Sequence, residues 1–196
     1  MIRSSLPIVL VLAASVANAQ QPEPALHSPA YQIAAAVTPL PPEMRDGAMV
    51  LGYTALGKPL ITLREGKNDM ICLAPDPSVK TFHAACYHKA MEPFMARGRA
   101  LRAQGVTGGR VDTVRFAEVK AGKLEMPKQP ASMYQLFGGK YDPATSSVAG
   151  AQPLIVVYIS GATGASTGLP EKPSENGMWI MYPGTPKAHI MLTPKM

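Results

Sequence analysis

Ala48-Met49-Val50-Leu51-Gly52-Tyr53, Pro59-Leu60-Ile61-Thr62-Leu63 and Met70-Ile71-Cys72-Leu73 are three short apolar runs in close succession. Gly57-Lys58 separates the first two, and Gly66-Lys67-Asn68-Asp69 separates the second from the third. Short apolar runs bounded by glycine and polar punctuation have strand length rather than helix length, so this spacing predicts a β-meander of antiparallel strands.

Upstream, Ser28-Pro29 combines an N-cap residue with proline at the first helical position, which predicts a helix over 29–37. Pro39-Leu40-Pro41-Pro42 stops it, because proline lacks a backbone donor and biases its predecessor away from helical angles. Downstream, Pro75-Asp76-Pro77-Ser78 ends the third strand and caps a helix starting near Val79. Phe82, Ala85, Cys86, Lys89 and Ala90 then recur at spacings of three and four, placing Cys86 on the inner face of that helix. Glu92-Pro93 marks a kink or restart, after which Phe94, Ala100 and Leu101 carry an apolar stripe as far as Gly105. A further helix over 110–121, closed by Gly122, competes with a hairpin turning at Ala121-Gly122.

The last third returns to strand signals at 132–137, 154–160, 178–182 and 188–192. Gly138-Gly139-Lys140-Tyr141-Asp142-Pro143 and the segment 161–173 read as loops between them. Strands, then helices, then strands predict an α+β fold: a largely antiparallel sheet of about six strands with two to four helices packed on a face, in a single domain over 29–196. No internal repeat suggests a solenoid.

The N-terminus reads as an address. Met1-Ile2-Arg3 is a short positive start, residues 6–16 are mostly apolar, and Ala17-Asn18-Ala19 has the small-x-small form of a signal-peptidase site. The expectation is a signal peptide over 1–19, a flexible proline-rich lead-in over 20–28, and an exported protein, periplasmic or extracellular, with no transmembrane segment after cleavage. The chain has 19 basic and 13 acidic residues, net +6, and losing Arg3 with the leader lowers this to +5. The basic residues are scattered, with only Arg97, Arg99 and Arg102 grouped, which reads as a solvated helix face; no nucleic-acid partner is expected.

Cys72 and Cys86 are the only cysteines, and an oxidising compartment lets a nearby pair persist as a disulfide. The loop they would close is short, and the chain-entropy model assigns it about 3 kcal/mol. With Cys72 at a strand end and Cys86 in a helix, the bond is expected across a sheet–helix interface. Cys-x-x-Cys is absent, which argues against a thioredoxin-like site.

Four groups of residues carry candidate chemistry. His83-Ala84-Ala85-Cys86-Tyr87-His88 is dense in reactive side chains, but on a helix His83 and His88 would point about 140° apart, and the His-Glu-x-x-His and Cys-x-x-Cys-His patterns are missing. His88 with Glu92, four residues on, is the acid/base pair a secreted hydrolase would use. His189 and Met191 alternate on one strand and so share a side, where imidazole and thioether could meet a soft cation such as Cu(I); copper is the one cofactor alternative, and otherwise none is expected. Ser160-Gly161-Ala162-Thr163-Gly164-Ala165-Ser166-Thr167-Gly168 offers hydroxyls and loop amides, with Ser160, Thr163, Ser166 and Thr167 as candidate ligand contacts. It is neither a P-loop nor a Gly-x-Ser-x-Gly elbow. Trp179 and Tyr182, next to Pro183-Gly184, complete a candidate binding surface. No motif specifies a reaction, so the leading expectation is a non-enzymatic domain that binds a small molecule or a protein partner.

Overall fold

The computed structural model describes residues 26–173 and 177–194, so the expected leader over 1–19 and most of the lead-in over 20–28 lie outside the described residues. Ser28 caps α1 (Pro29–Ala36): its Oγ accepts from the Tyr31 amide at 3.3 Å, and Pro29 stands in the first turn. The proline run that follows permits only the single turn α2 (Pro42–Arg45). Four strands come next: β1 (Met49–Gly52), β2 (Ile61–Arg64), β3 (Met70–Leu73) and β4 (His83–His88). A 3-10 turn at Lys89–Met91 leads into α3 (Glu92–Ala103), with Pro93 in its first turn. α4 (Gly109–Lys120) ends just before Gly122. The chain closes with β5 (Ala131–Phe137), the small hairpin β6 (Lys140–Asp142) and β7 (Ser147–Ala149), β8 (Gln152–Tyr158), the one-turn α5 (Gly164–Thr167), β9 (Trp179–Met181) and β10 (His189–Leu192).

The fold is α+β, and its main sheet has eight strands in the order β2-β1-β3-β4-β5-β8-β10-β9, more than the six or so expected. All pairs but one are antiparallel. The exception corrects the expected meander: β2 and β3 flank β1 on opposite sides, and β3 runs parallel to β1. The connection between β2 and β3 crosses the start of β1, where the Lys67 and Asn68 amides both donate to the Gly47 carbonyl at 2.7 and 2.9 Å. Burial explains the choice. Met70, Ile71 and Cys72 are buried in succession, which requires cover on both faces, whereas Ile61 and Thr62 of β2 are exposed and suit an edge.

The helix expected near Val79 is instead β4. Residues 84–87 are all buried, and a strand covered on both faces shows no alternation, so its apolar spacing imitates a helical period. The disulfide is present but sits differently from expectation. Cys72 lies directly opposite Cys86 in the antiparallel β3–β4 ladder, so the bond crosses two strands rather than joining a sheet to a helix. The 110–121 segment is helical and its hairpin alternative falls away. The 138–143 and 161–173 loops contain, respectively, β6 with its turn and α5.

Alternate residues of the sheet feed two core layers. Val50, Met70, Cys72 and Cys86 pack with Ala36, Val37 and Leu40 around α1. Ile71, Tyr87, Met133 and Val156 pack on the other side with Met91 and Phe94, joined by Phe116 and Val119 of α4. Helices therefore cover both faces. Gly98 lets α3 and α4 close together, since a Cβ there would come within 2.9 Å of the Arg115 guanidinium, which itself lies 3.8 Å from the centre of the Phe94 ring.

Candidate functional site

The residues singled out from the sequence fall in three places. Ser160 is exposed in a turn. Thr163 caps α5 in a reciprocal pair with Ser166, and Thr167 Oγ1 donates to the Thr163 carbonyl at 2.8 Å. These loop hydroxyls thus spend much of their capacity on the loop itself. Amide bonds from Gly161 to the Thr185 carbonyl and from Gly184 to the Ala162 carbonyl do bring the loop beside the turn that carries Tyr182. Trp179 stands further along the edge, opposite Met191.

His189 and Met191 share one side of β10, as their spacing requires. His189 is buried; its Nδ1–H donates to the Lys187 carbonyl at 2.6 Å, and its ring lies 4.9 Å from that of Tyr158 and 5.8 Å from that of Tyr182. Met191 packs against the larger core cluster. Among the described residues, no group of three or more His, Cys, Asp or Glu side chains is arranged to hold a metal ion.

Burial pushes the His189 imidazole below its ordinary value of 6.5, outweighing the carbonyl bond that pulls it up; Lys187 adds to the lowering and the Asp112 carboxylate opposes it. An unfolded chain therefore takes up this proton before the folded one does. The stabilisation is complete above about pH 6.5 and is lost as pH falls toward the folded value, at no more than about 1.4 kcal/mol per pH unit. Urea unfolding at about pH 7.5 and about pH 5 should show this loss, and His189→Gln should reduce it; equal pH dependence in both proteins would exclude His189 as its source.

His88 and Glu92 are not brought together. His88 Nδ1 accepts from the Ala90 amide at 3.2 Å, and its Nε2 lies 3.8 Å from Asp69. Glu92 turns to the other layer, where it accepts from the Tyr87 hydroxyl and from Arg99, each at 2.5 Å.

A more concave site lies elsewhere, at the end of the sheet where β1 and β3 finish and β4 begins. The 74–82 connection folds over this end, and a cleft of about 360 Å³ opens between it, the start of α1 and the β6 strand. One side is a row of rings: His27 stacks on Tyr31 at 3.8 Å, Tyr31 meets Tyr141 edge-on at 5.0 Å, and Tyr141 lies nearly parallel to Phe82 at 6.2 Å. Asp76, Thr81, Lys80 and Lys140 supply polar groups. A second cleft of about 150 Å³ shares Asp76, Val79 and Thr81 and adds Tyr53 and His83.

Local backbone chemistry sets this wall. Gly138 and Gly139 both take φ 71°, which bends the chain out of β5 and into the separate β6–β7 hairpin. At Gly139 a Cβ would fall 2.3 Å from the Ala149 carbonyl oxygen and 2.6 Å from the Ala151 amide, so only glycine lets the two sides of the hairpin root approach. That bend carries Tyr141 onto Tyr31 and Phe82. Burial raises the Tyr31 phenol, with Tyr141 adding to the effect, and burial pushes the Tyr53 phenol up to about 12. Both phenols stay protonated at neutral pH and serve as hydrogen-bonding groups rather than bases.

Tyr141 is 5% exposed, and its hydroxyl is buried without a hydrogen-bond partner. An orphaned buried hydroxyl costs about 1–3 kcal/mol, which makes this atom the most unusual polar group of the cleft. The residues of the larger cleft come from three separate segments and were not singled out from the sequence as a site; the only local signal was the Gly138-Gly139 bend beside Tyr141. Comparison with known proteins found no matching family model, no matching curated protein and no matching solved structure.

Proposed function

We propose that this protein is an exported small-molecule-binding domain whose ligand occupies the ring-walled cleft between the 74–82 connection and the β6–β7 hairpin. Tyr141 carries the reading: the residue lines a cleft of ligand size, and its hydroxyl, buried beside that cleft, lacks a hydrogen-bond partner that a bound molecule would supply. The Cys72–Cys86 disulfide supports export, because such bonds persist in oxidising compartments, and the reading of residues 1–19 as a leader agrees with it. No described helix is long and apolar enough to cross a membrane.

Tyr141→Phe tests this directly. Without ligand, the substitution removes an unpaired hydroxyl while keeping the ring, so stability should hold or rise by about 1 kcal/mol in urea unfolding. A small molecule found to bind by ligand-observed NMR should bind about tenfold more weakly to Tyr141→Phe, one lost hydrogen bond being worth about 1.4 kcal/mol or less in most proteins. Binding that ignores Tyr141→Phe, or that maps to Trp179 and Tyr182, would overturn the assignment of the cleft.

A further inference from the structure

We infer that the smaller cleft, the one bordered by Tyr53, Asp76 and His83, binds a small primary alkylammonium ion. This is a second site, and it stands or falls independently of the ring-walled cleft. The smaller cleft holds about 150 Å³, and most of its lining is aliphatic: Leu60, Leu73, Ala74, Val79 and Ala85. That volume is about half the lower bound of roughly 300 Å³ for drug-sized ligands, so the body it accommodates has only a few carbons.

The lining sets the sign of the ligand's charge. In the larger cleft Lys80 and Lys140 stand with Asp76, whereas no Lys or Arg lines the smaller one and Asp76 is its only acidic residue. The Asp76 Oδ1 accepts from the Ser78 amide at 2.9 Å and from the Ser78 hydroxyl at 2.6 Å, which fixes the carboxylate, while Oδ2 accepts from no group among the described residues. Burial first, and the Asp76 carboxylate after it, push the Tyr53 phenol up to about 12, so the field of the carboxylate reaches Tyr53 and the phenol stays a neutral hydroxyl. Arg99 opposes that field at Tyr53, but Glu92 already balances its charge at 2.5 Å. An alkylammonium has three N–H donors: Asp76 Oδ2 takes one, and the Tyr53 and Thr81 hydroxyls are acceptors for the others. His83 is held from the side, 3.1 Å from Gln135 and stacked on Phe137 at 4.4 Å, and serves as a reporter of occupancy.

Three probes of similar shape decide the class: isobutylammonium, isobutanol and isovalerate, each titrated into the purified protein while the NMR signals of His83, Tyr53, Tyr31 and Tyr141 are followed. Isobutylammonium should bind about tenfold more tightly than isobutanol, as expected for one charge-assisted contact, and isovalerate should bind more weakly than either. Because Asp76 is exposed, added salt should weaken the ammonium and leave the alcohol unchanged, a readout that needs no variant. Asp76→Asn keeps an oxygen for Ser78 and should bring the ammonium down to the alcohol's affinity, whereas Tyr141→Phe should change neither. Equal affinities for ammonium and alcohol, tighter binding of isovalerate, or an ammonium affinity that ignores both salt and Asp76→Asn would overturn the proposal. So would shifts at Tyr31 and Tyr141 rather than at Tyr53 and His83, which would put the ion in the larger cleft. Failure of all three probes to bind rejects the site and leaves the Tyr141→Phe test of the larger cleft standing by itself.

Discussion

Phe94→Ala is expected to lower stability by about 3–5 kcal/mol, a large share of the 5–15 kcal/mol that holds a typical domain together. The side chain is 1% exposed and packs in the larger core layer with Ile71, Tyr87, Met91 and Met133. Truncation removes its transfer free energy and leaves a cavity between the sheet and α3 that a β-sheet face cannot readily collapse to fill. A second loss adds to the first. The Arg115 guanidinium lies over the Phe94 ring and donates to the Phe94 carbonyl at 3.1 Å and to Asp112, which in turn accepts from Lys187 at 2.9 Å. Asp112 neutralises the buried Arg115 charge, but Arg115 is only 4% exposed and its Nε already lacks a partner, so the ring face adds compensation that truncation would remove. The effect should therefore sit in the upper half of the range. Chemical unfolding with an unchanged m-value would measure it, and a loss below about 1 kcal/mol would mean that the layer repacks around the gap.

Where each element was readable depended on whether one face or both faces are covered. α1 could be read from Ser28-Pro29 because an N-cap and a first-turn proline act locally, and the structure uses both. Pro93, Gly105 and Gly122 likewise bound α3 and α4 from within the chain. β3 and β4 form the centre of the sheet, and there local pattern fails. Residues 84–87 are buried on both faces, so they carry no period of two, and the spacing of Phe82, Ala85, Cys86 and Lys89 satisfied a helix equally well. Strand runs could be located but not their neighbours, since the parallel placement of β3 beside β1 is decided by which strand needs cover on both sides, a tertiary fact. The cleft was less legible still. Tyr31, Phe82 and Tyr141 lie on three segments with no shared spacing, and they meet only because the Gly138-Gly139 bend redirects the chain after β5. The hydroxyl-rich loop over 160–168 stood out for its composition, yet its hydroxyls are largely engaged in capping α5.

Replacing both cysteines, as Cys72→Ala with Cys86→Ala, should cost about 3 kcal/mol, most of it through the unfolded chain. The two residues face each other in adjacent central strands, and both are fully buried. Backbone ladders hold those strands to each other and, beyond, to β1 and β5, so the folded geometry does not depend on the bond. What the bond removes is freedom of the unfolded chain, because it closes the segment 73–85 into a loop whose ends cannot separate. The native circular dichroism spectrum should stay the same, and the unfolding midpoint should drop. Because that segment contains the 74–82 connection, which forms one wall of the cleft, ligand affinity provides a second readout. It should stay within about twofold of the intact protein if the wall is held by strand pairing rather than by the bond. Reduction offers the kinetic counterpart. A disulfide with no exposure in the folded state meets a thiol reductant only when the β3–β4 ladder opens, so its loss in native buffer should track unfolding and accelerate with urea. Fast reduction in the absence of denaturant would show that these two strands open locally, and would shift the stabilising role from the unfolded chain to the native sheet.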